Sequence, residues 1–128
     1  DERFLGLAGE AAEGVEGLSL WPDPLTSDLP GLRAYREALK TFAPKGEPNR
    51  YALHGYFAAM MFAEGAKRAG KTLTRESLMT ALTSIKGFDT GILPPITIGA
   101  DLEPLKQGFW VRMEKGRFRQ LTDWLKSE

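Results

Sequence analysis

The sequence predicts an α/β fold with an incomplete sheet. Three helical stretches occupy the middle of the chain and extended stretches flank them at both ends. A complete open sheet with covering helices needs several strand and helix alternations, and here the few strands are split between the two ends.

The elements follow in order. Phe4, Leu5, Leu7, Ala8, Ala11 and Ala12 recur at helical spacing, and Gly14 stops that short helix. Residues 15–20 alternate as a strand does. Trp21-Pro22-Asp23-Pro24 ends the strand, because neither proline can donate to a ladder. A helix should follow, N-capped by Ser27 or Asp28, with Pro30 in its first turn. Leu32, Tyr35, Leu39 and Phe42 share one face of it, opposite Arg33, Arg36, Glu37 and Lys40, and Pro44 with Gly46 stops it. Residues 49–69 form the next helix, apolar on nearly all sides through its first half, which predicts a central, buried element. Lys67 and Arg68 suit the negative end of its dipole, and Gly70 is placed as its cap. Thr74 caps a third helix with Leu78, Met79, Leu82 and Ile85 inward and its end at Gly87. Beyond Gly91 the chain turns extended. Residues 94–99 read as a strand, and residues 109–113 and 118–121 as a hairpin turning at Lys115-Gly116. Trp110 and Trp124 flank that hairpin as expected core residues.

At 128 residues, 42% hydrophobic and 27% charged, the chain can close a core and is not disordered. Seventeen basic and seventeen acidic side chains leave no net field to draw in nucleic acid or an anionic membrane. Acids crowd the first thirty residues and bases the tail, a distribution expected of solvated faces. Having no cysteine, the chain has no thiolate chemistry, disulfide or cysteine-ligated zinc. The longest apolar run, within residues 51–63, is interrupted by His54 and falls short of the ~20 residues a membrane span needs. The chain opens on Asp-Glu-Arg, so a signal peptide is expected to have been removed or to lie upstream.

Few residues suggest catalysis. The string Gly65-Ala66-Lys67-Arg68-Ala69-Gly70-Lys71-Thr72 fits the phosphate-binding loop pattern of nucleotide hydrolases. That loop needs a strand leading in and a helix starting at Lys-Thr, whereas here a long helix leads in and the next helix begins two residues too late. A glycine-capped helix end accounts for the same residues. His54, the sole histidine, could serve as a lone base but not in a histidine metal site. Asp89, Asp101 and Glu103 lack the spacing of a calcium loop and read as solvated turn acids. No cofactor and no metal are expected.

Residues 4–15, Phe-Leu-Gly-Leu-Ala-Gly-Glu-Ala-Ala-Glu-Gly-Val, resemble a segment of the branched-chain amino acid binding proteins of ABC transporters. Three further blocks resemble that family in its own order: residues 51–70, residues 88–98 with Phe-Asp-Thr-Gly and Leu-Pro-Pro-Ile-Thr-Ile, and residues 107–124 with the final hairpin. The resemblance implies a partial type I periplasmic-binding-protein fold: three helices plus crossing strands and a C-terminal β-hairpin. Residues 1–14 would belong to lobe two, 15–20 would cross to lobe one, 21–90 would be the helical part of lobe one, 91–98 would cross back, and 99–128 would form the hairpin and tail of lobe two.

The implied function is that of an extracytoplasmic solute-binding component, in C-terminal part, of an ABC importer for branched-chain amino acids or related small amides or organic acids. It is not an enzyme, and it binds no nucleic acid. Its partners would be the solute, a membrane permease and the upstream parts of both lobes. Trp21, Tyr51 and His54 are the candidate ligand-binding residues, at the end of one crossing and the entry of the long helix. The reading from another class is a self-associating interaction module whose exposed strands pair with a second copy.

Overall fold

Strands from the two ends of the chain pair with each other in the computed structural model, which describes residues 2–99 and 102–126. β1 (Glu16–Ser19) runs antiparallel to β2 (Gln107–Glu114), with Leu18 opposite Trp110 and Glu16 opposite Arg112. β3 (Arg117–Gln120) returns along the other side of β2, and β4 (Leu125–Lys126) pairs with the start of β2. The hairpin turns where expected, on Lys115 and Gly116 at φ 53° and 74°, the geometry that matches strand twist in two-residue loops.

Period-two alternation decides the two faces of β2. Phe109, Val111 and Met113 are buried, whereas Trp110, expected in the core, is 44% exposed because it points to the opposite face. Trp124 does pack, edge-on to Phe109 at 4.7 Å. The chain start lies along the same sheet. α1 (Glu2–Ala8) runs into a 3-10 turn (Gly9–Ala12), beyond which Gly14 N–H donates to the Met113 carbonyl at 2.9 Å.

α2 (Pro30–Phe42) is N-capped by Leu29 without a side-chain bond, not by Ser27 or Asp28. Pro30 removes one of the amides a cap would serve, and Asp28 contributes only its carbonyl, to Arg33. Leu32 and Tyr35 are buried. Gly31 donates to the Gly91 carbonyl at 2.9 Å, and a Cβ there would sit 2.5 Å from the Thr90 oxygen, so this approach requires glycine.

α3 (Arg50–Ala69) starts at Asn49, whose side chain accepts from Ala52 N–H at 3.0 Å, and the Tyr35 hydroxyl donates to the Asn49 carbonyl at 3.2 Å. Leu53, Phe57, Met61 and Gly65 form one buried stripe at four-residue spacing. Tyr51 and Phe62 are exposed at 63% and 53%. The helix is therefore buried on one side, not all round: the stripe and its flanks, with Ala52, Tyr56 and Met60, face the core, and Tyr35 of α2 packs on Tyr56. α4 (Arg75–Thr83) opens with a reciprocal capping box between Thr74 and Ser77. It ends at Thr83, not at Gly87. Ile85 N–H bonds back to Leu82, and the Ile85 carbonyl is taken by Ile98 N–H at 2.9 Å, which draws the chain off the helix axis.

Residues 94–98 are extended but form no strand; Ile96 makes an isolated bridge with Phe88. Pro94 and Pro95 have no N–H, and the amides of Ile96 and Ile98 are committed to Phe88 and Ile85, leaving no ladder to build. The largest apolar cluster gathers Leu32, Tyr35, Leu53, Ile85 and Ile92, all nearly or fully inaccessible, around Trp21, Phe57 and Ile96. Two units result, a helical one and a sheet one. They are joined through residues 20–23 and again between Ile98 and Gln107. Among the described residues, no helix of the middle stretch packs broadly on a strand.

Candidate functional site

The two units meet at the start of α3 and again at Trp124, which packs on both Phe109 and the helical core. Trp21 leaves the end of β1 and is buried to 7% exposure. Its ring lies 4.3 Å from that of His54 and, edge-on, 5.1 Å from that of Phe57. Ser19 fixes the corner, its hydroxyl donating to the Trp21 carbonyl at 2.8 Å and accepting from Trp21 N–H at 3.2 Å. Desolvation against these rings lowers the His54 pKa, and the nearby Arg50 charge lowers it further. His54 is thus neutral at pH 7. It offers an aromatic, hydrogen-bonding surface with no charge.

Arg50, the first residue of α3, sits at the centre of the junction. Its guanidinium donates to Ser19 Oγ at 2.5 Å and to the Trp21 carbonyl at 3.1 Å, and lies 4.9 Å over the Phe118 ring. A cavity of about 290 Å³ opens beside it, bounded by Trp21, Asp23, Thr26, Phe118 and Gln120. A second, of about 230 Å³, lies between Arg50 and Phe4, Leu18 and Val111.

Of the residues expected from sequence, Trp21 lines the first cavity, and His54 packs on Trp21 at a tilt of 39° without lining it. Tyr51 lies outside both cavities, exposed one helical turn before His54 on the same side of α3. Sequence reading missed Arg50, Ser19 and Phe118. One signal was legible: an arginine directly after a helix cap faces the positive end of the dipole, an unfavourable place for a cation.

The phosphate-loop reading fails on geometry. Gly65 is a buried residue inside α3, where a Cβ would come within 2.6 Å of Leu82, so its role is helix packing. Among the described residues, no group of His, Asp or Glu side chains is arranged to hold a metal ion. Asp101, one of the three late acids, lies outside the described residues. No described helix is long and apolar enough to cross a membrane.

The sequence model of a family described as "Periplasmic binding protein" matches residues 1–117. The chain belongs to the periplasmic binding protein family. Its fold agrees. A branched-chain amino acid ABC transporter protein from Thermus thermophilus with bound valine superposes with a TM-score of 0.84 at 23% identity, over 98% of this chain and 37% of that one. A leucine-binding protein from Thermotoga maritima MSB8 gives 0.74 at 20% identity, over 98% and 34%. A solute-binding protein of an ABC transporter from R. palustris, in complex with benzoate, gives 0.69 at 18% identity, over 98% and 34%. At these identities the likeness establishes the fold, and the chain spans about a third of the length of these proteins. No curated protein matches the sequence.

Proposed function

We propose that the chain is part of an extracytoplasmic solute-binding protein that serves an ABC importer and captures a branched-chain amino acid or a related small amide or organic acid. The observation that carries this reading is the aromatic junction. The tilted Trp21–His54 ring pair and Arg50 meet where the helical unit joins the sheet unit, with exposed Tyr51 one helical turn before His54, in a chain of this family. Valine and benzoate, named with two of the similar structures, each pair a compact apolar group with a carboxylate. Aromatic walls with a few placed polar groups suit such solutes. In this reading residues 21–90 belong to one lobe, residues 1–14 and 99–128 to the other, and the stretches 15–20 and 91–98 link them. The protein works by capture and release, without covalent chemistry, and a membrane permease reads its closed form.

A thermal-shift screen tests this. A solute at 100 times its dissociation constant adds about 2.7 kcal/mol of stability. Valine, leucine or benzoate should raise the melting temperature, and ATP with magnesium should leave it unchanged. A response to ATP alone would overturn the reading.

A self-associating module is the second reading, favoured by one observation: Leu18 and Trp110 lie side by side on the open face of the sheet, 61% and 44% exposed. A solution mass of two chains with no solute response would support it.

A further inference from the structure

We infer that Arg50 is a clasp between the two units, a positioning residue that sets how far the junction opens. The inference rests on the solute-binding reading for its purpose, though not for its geometry. Arg50 belongs to the helical unit. Asn49 caps the helix immediately before it, and the Tyr35 hydroxyl holds the Asn49 carbonyl, so the start of α3 is fixed to the helical core. Its side chain nevertheless reaches the other unit: Ser19 Oγ at the end of β1, the Trp21 carbonyl in the connection, and the face of Phe118 on β3.

A cation in the first turn opposes the helix dipole. At this position it is compensated by groups that lie outside its own helix. The helices and the strands share no broad packing among the described residues, and Trp124, packed on Phe109 and against the helical core, joins the units through apolar contact; Arg50 supplies polar and cation–π contacts at the other join. They also separate the two cavities that flank Arg50. With the clasp made, Trp21 and Phe118 are held as facing walls of the larger one. With it released, the corner at residues 19–23 loses the bonds that hold it to the start of α3. The guanidinium is suited to this double role, because its plane stacks on a ring while its edge donates hydrogen bonds. A lysine ammonium reproduces the charge without the planar fork.

The test is amide hydrogen exchange, read by mass spectrometry on the solute-free chain, for the wild type, Arg50→Lys, Phe118→Leu and the double variant. Cation–π contacts of this kind are worth a factor of about two to five in an equilibrium. Each single variant should therefore speed exchange by about that factor in residues 19–23 and 117–120, and leave α4 unchanged. The double variant should add little to Arg50→Lys, because the lysine already gives up the planar stack on Phe118 that Phe118→Leu removes. Equal acceleration through α4 would mean a general loss of stability, and independent, multiplying effects would mean no shared contact; either result overturns the clasp. The readout uses no solute. A coupled result in a chain that binds no valine would sink the solute-binding reading and keep the clasp, and an uncoupled result in a chain that binds valine would do the reverse.

Discussion

The helical unit and the sheet unit are built on opposite principles. The helical unit closes its core from all sides: Leu32, Leu53 and Ile85 are wholly inaccessible, walled by helices and loops and, from the tail, by Leu105 and Trp124. The sheet covers one face, with Phe109, Val111 and Met113 buried, and leaves Leu18 and Trp110 in solvent on the other. Stability should therefore be uniform across the helical core and sharply one-sided in the sheet.

Truncation breaks or sharpens that contrast most strongly. Leu53→Ala and Ile85→Ala should each cost about 2–5 kcal/mol in urea denaturation, the usual range for emptying a closed core. Met113→Ala should approach that range. Leu18→Ala, on the same sheet but the open face, should stay within about 0.5 kcal/mol. Comparable losses at Leu18 and Met113 would show that the outer face is covered in solution. Next in size is Gly31→Ala, which forces a methyl group against the Thr90 carbonyl and should cost about 1–3 kcal/mol, the range for overpacking. Asn49→Ala removes the cap of α3 and should cost about 1 kcal/mol. Both are read from the same denaturation midpoints.

The smallest effect is a pH dependence at the junction. The folded chain holds the His54 pKa below its ordinary value of about 6.5, so in the window between the two the unfolded chain binds more protons. The stability that neutral His54 contributes is complete above pH 6.5 and is lost as pH falls through the folded value. His54→Gln should flatten that part of the stability profile, a difference visible in melting temperatures between pH 7 and 5. An unaltered profile would show that the stack on Trp21 does not desolvate the ring.

This contrast also explains what the sequence disclosed. The helices were legible because their signals are local: Gly70 and Thr74 mark ends whose bonds lie within a few residues. The hairpin was legible for the same reason, through Lys115-Gly116. Residues 94–98 were misread as a strand because the fate of their amides depends on Phe88 and Ile85, which no local pattern announces. Trp110 was misassigned because alternation gives two faces without saying which one is covered. At the site, Trp21 and His54 proved to be neighbours; the unfavourable position of Arg50 was legible but its partners were not, since Ser19 and Phe118 lie 31 and 68 positions away and only the fold brings them to it.

The central claim is that the junction at Trp21 receives a small solute. It is tested most directly by replacing Trp110 and Trp124 with phenylalanine, so that Trp21 is the sole indole emitter, and titrating with valine, leucine and benzoate. A saturable change in emission with at least one of them, weakened by Tyr51→Ala, is the predicted result. A flat trace with every solute, from a chain that still unfolds cooperatively, would contradict the account.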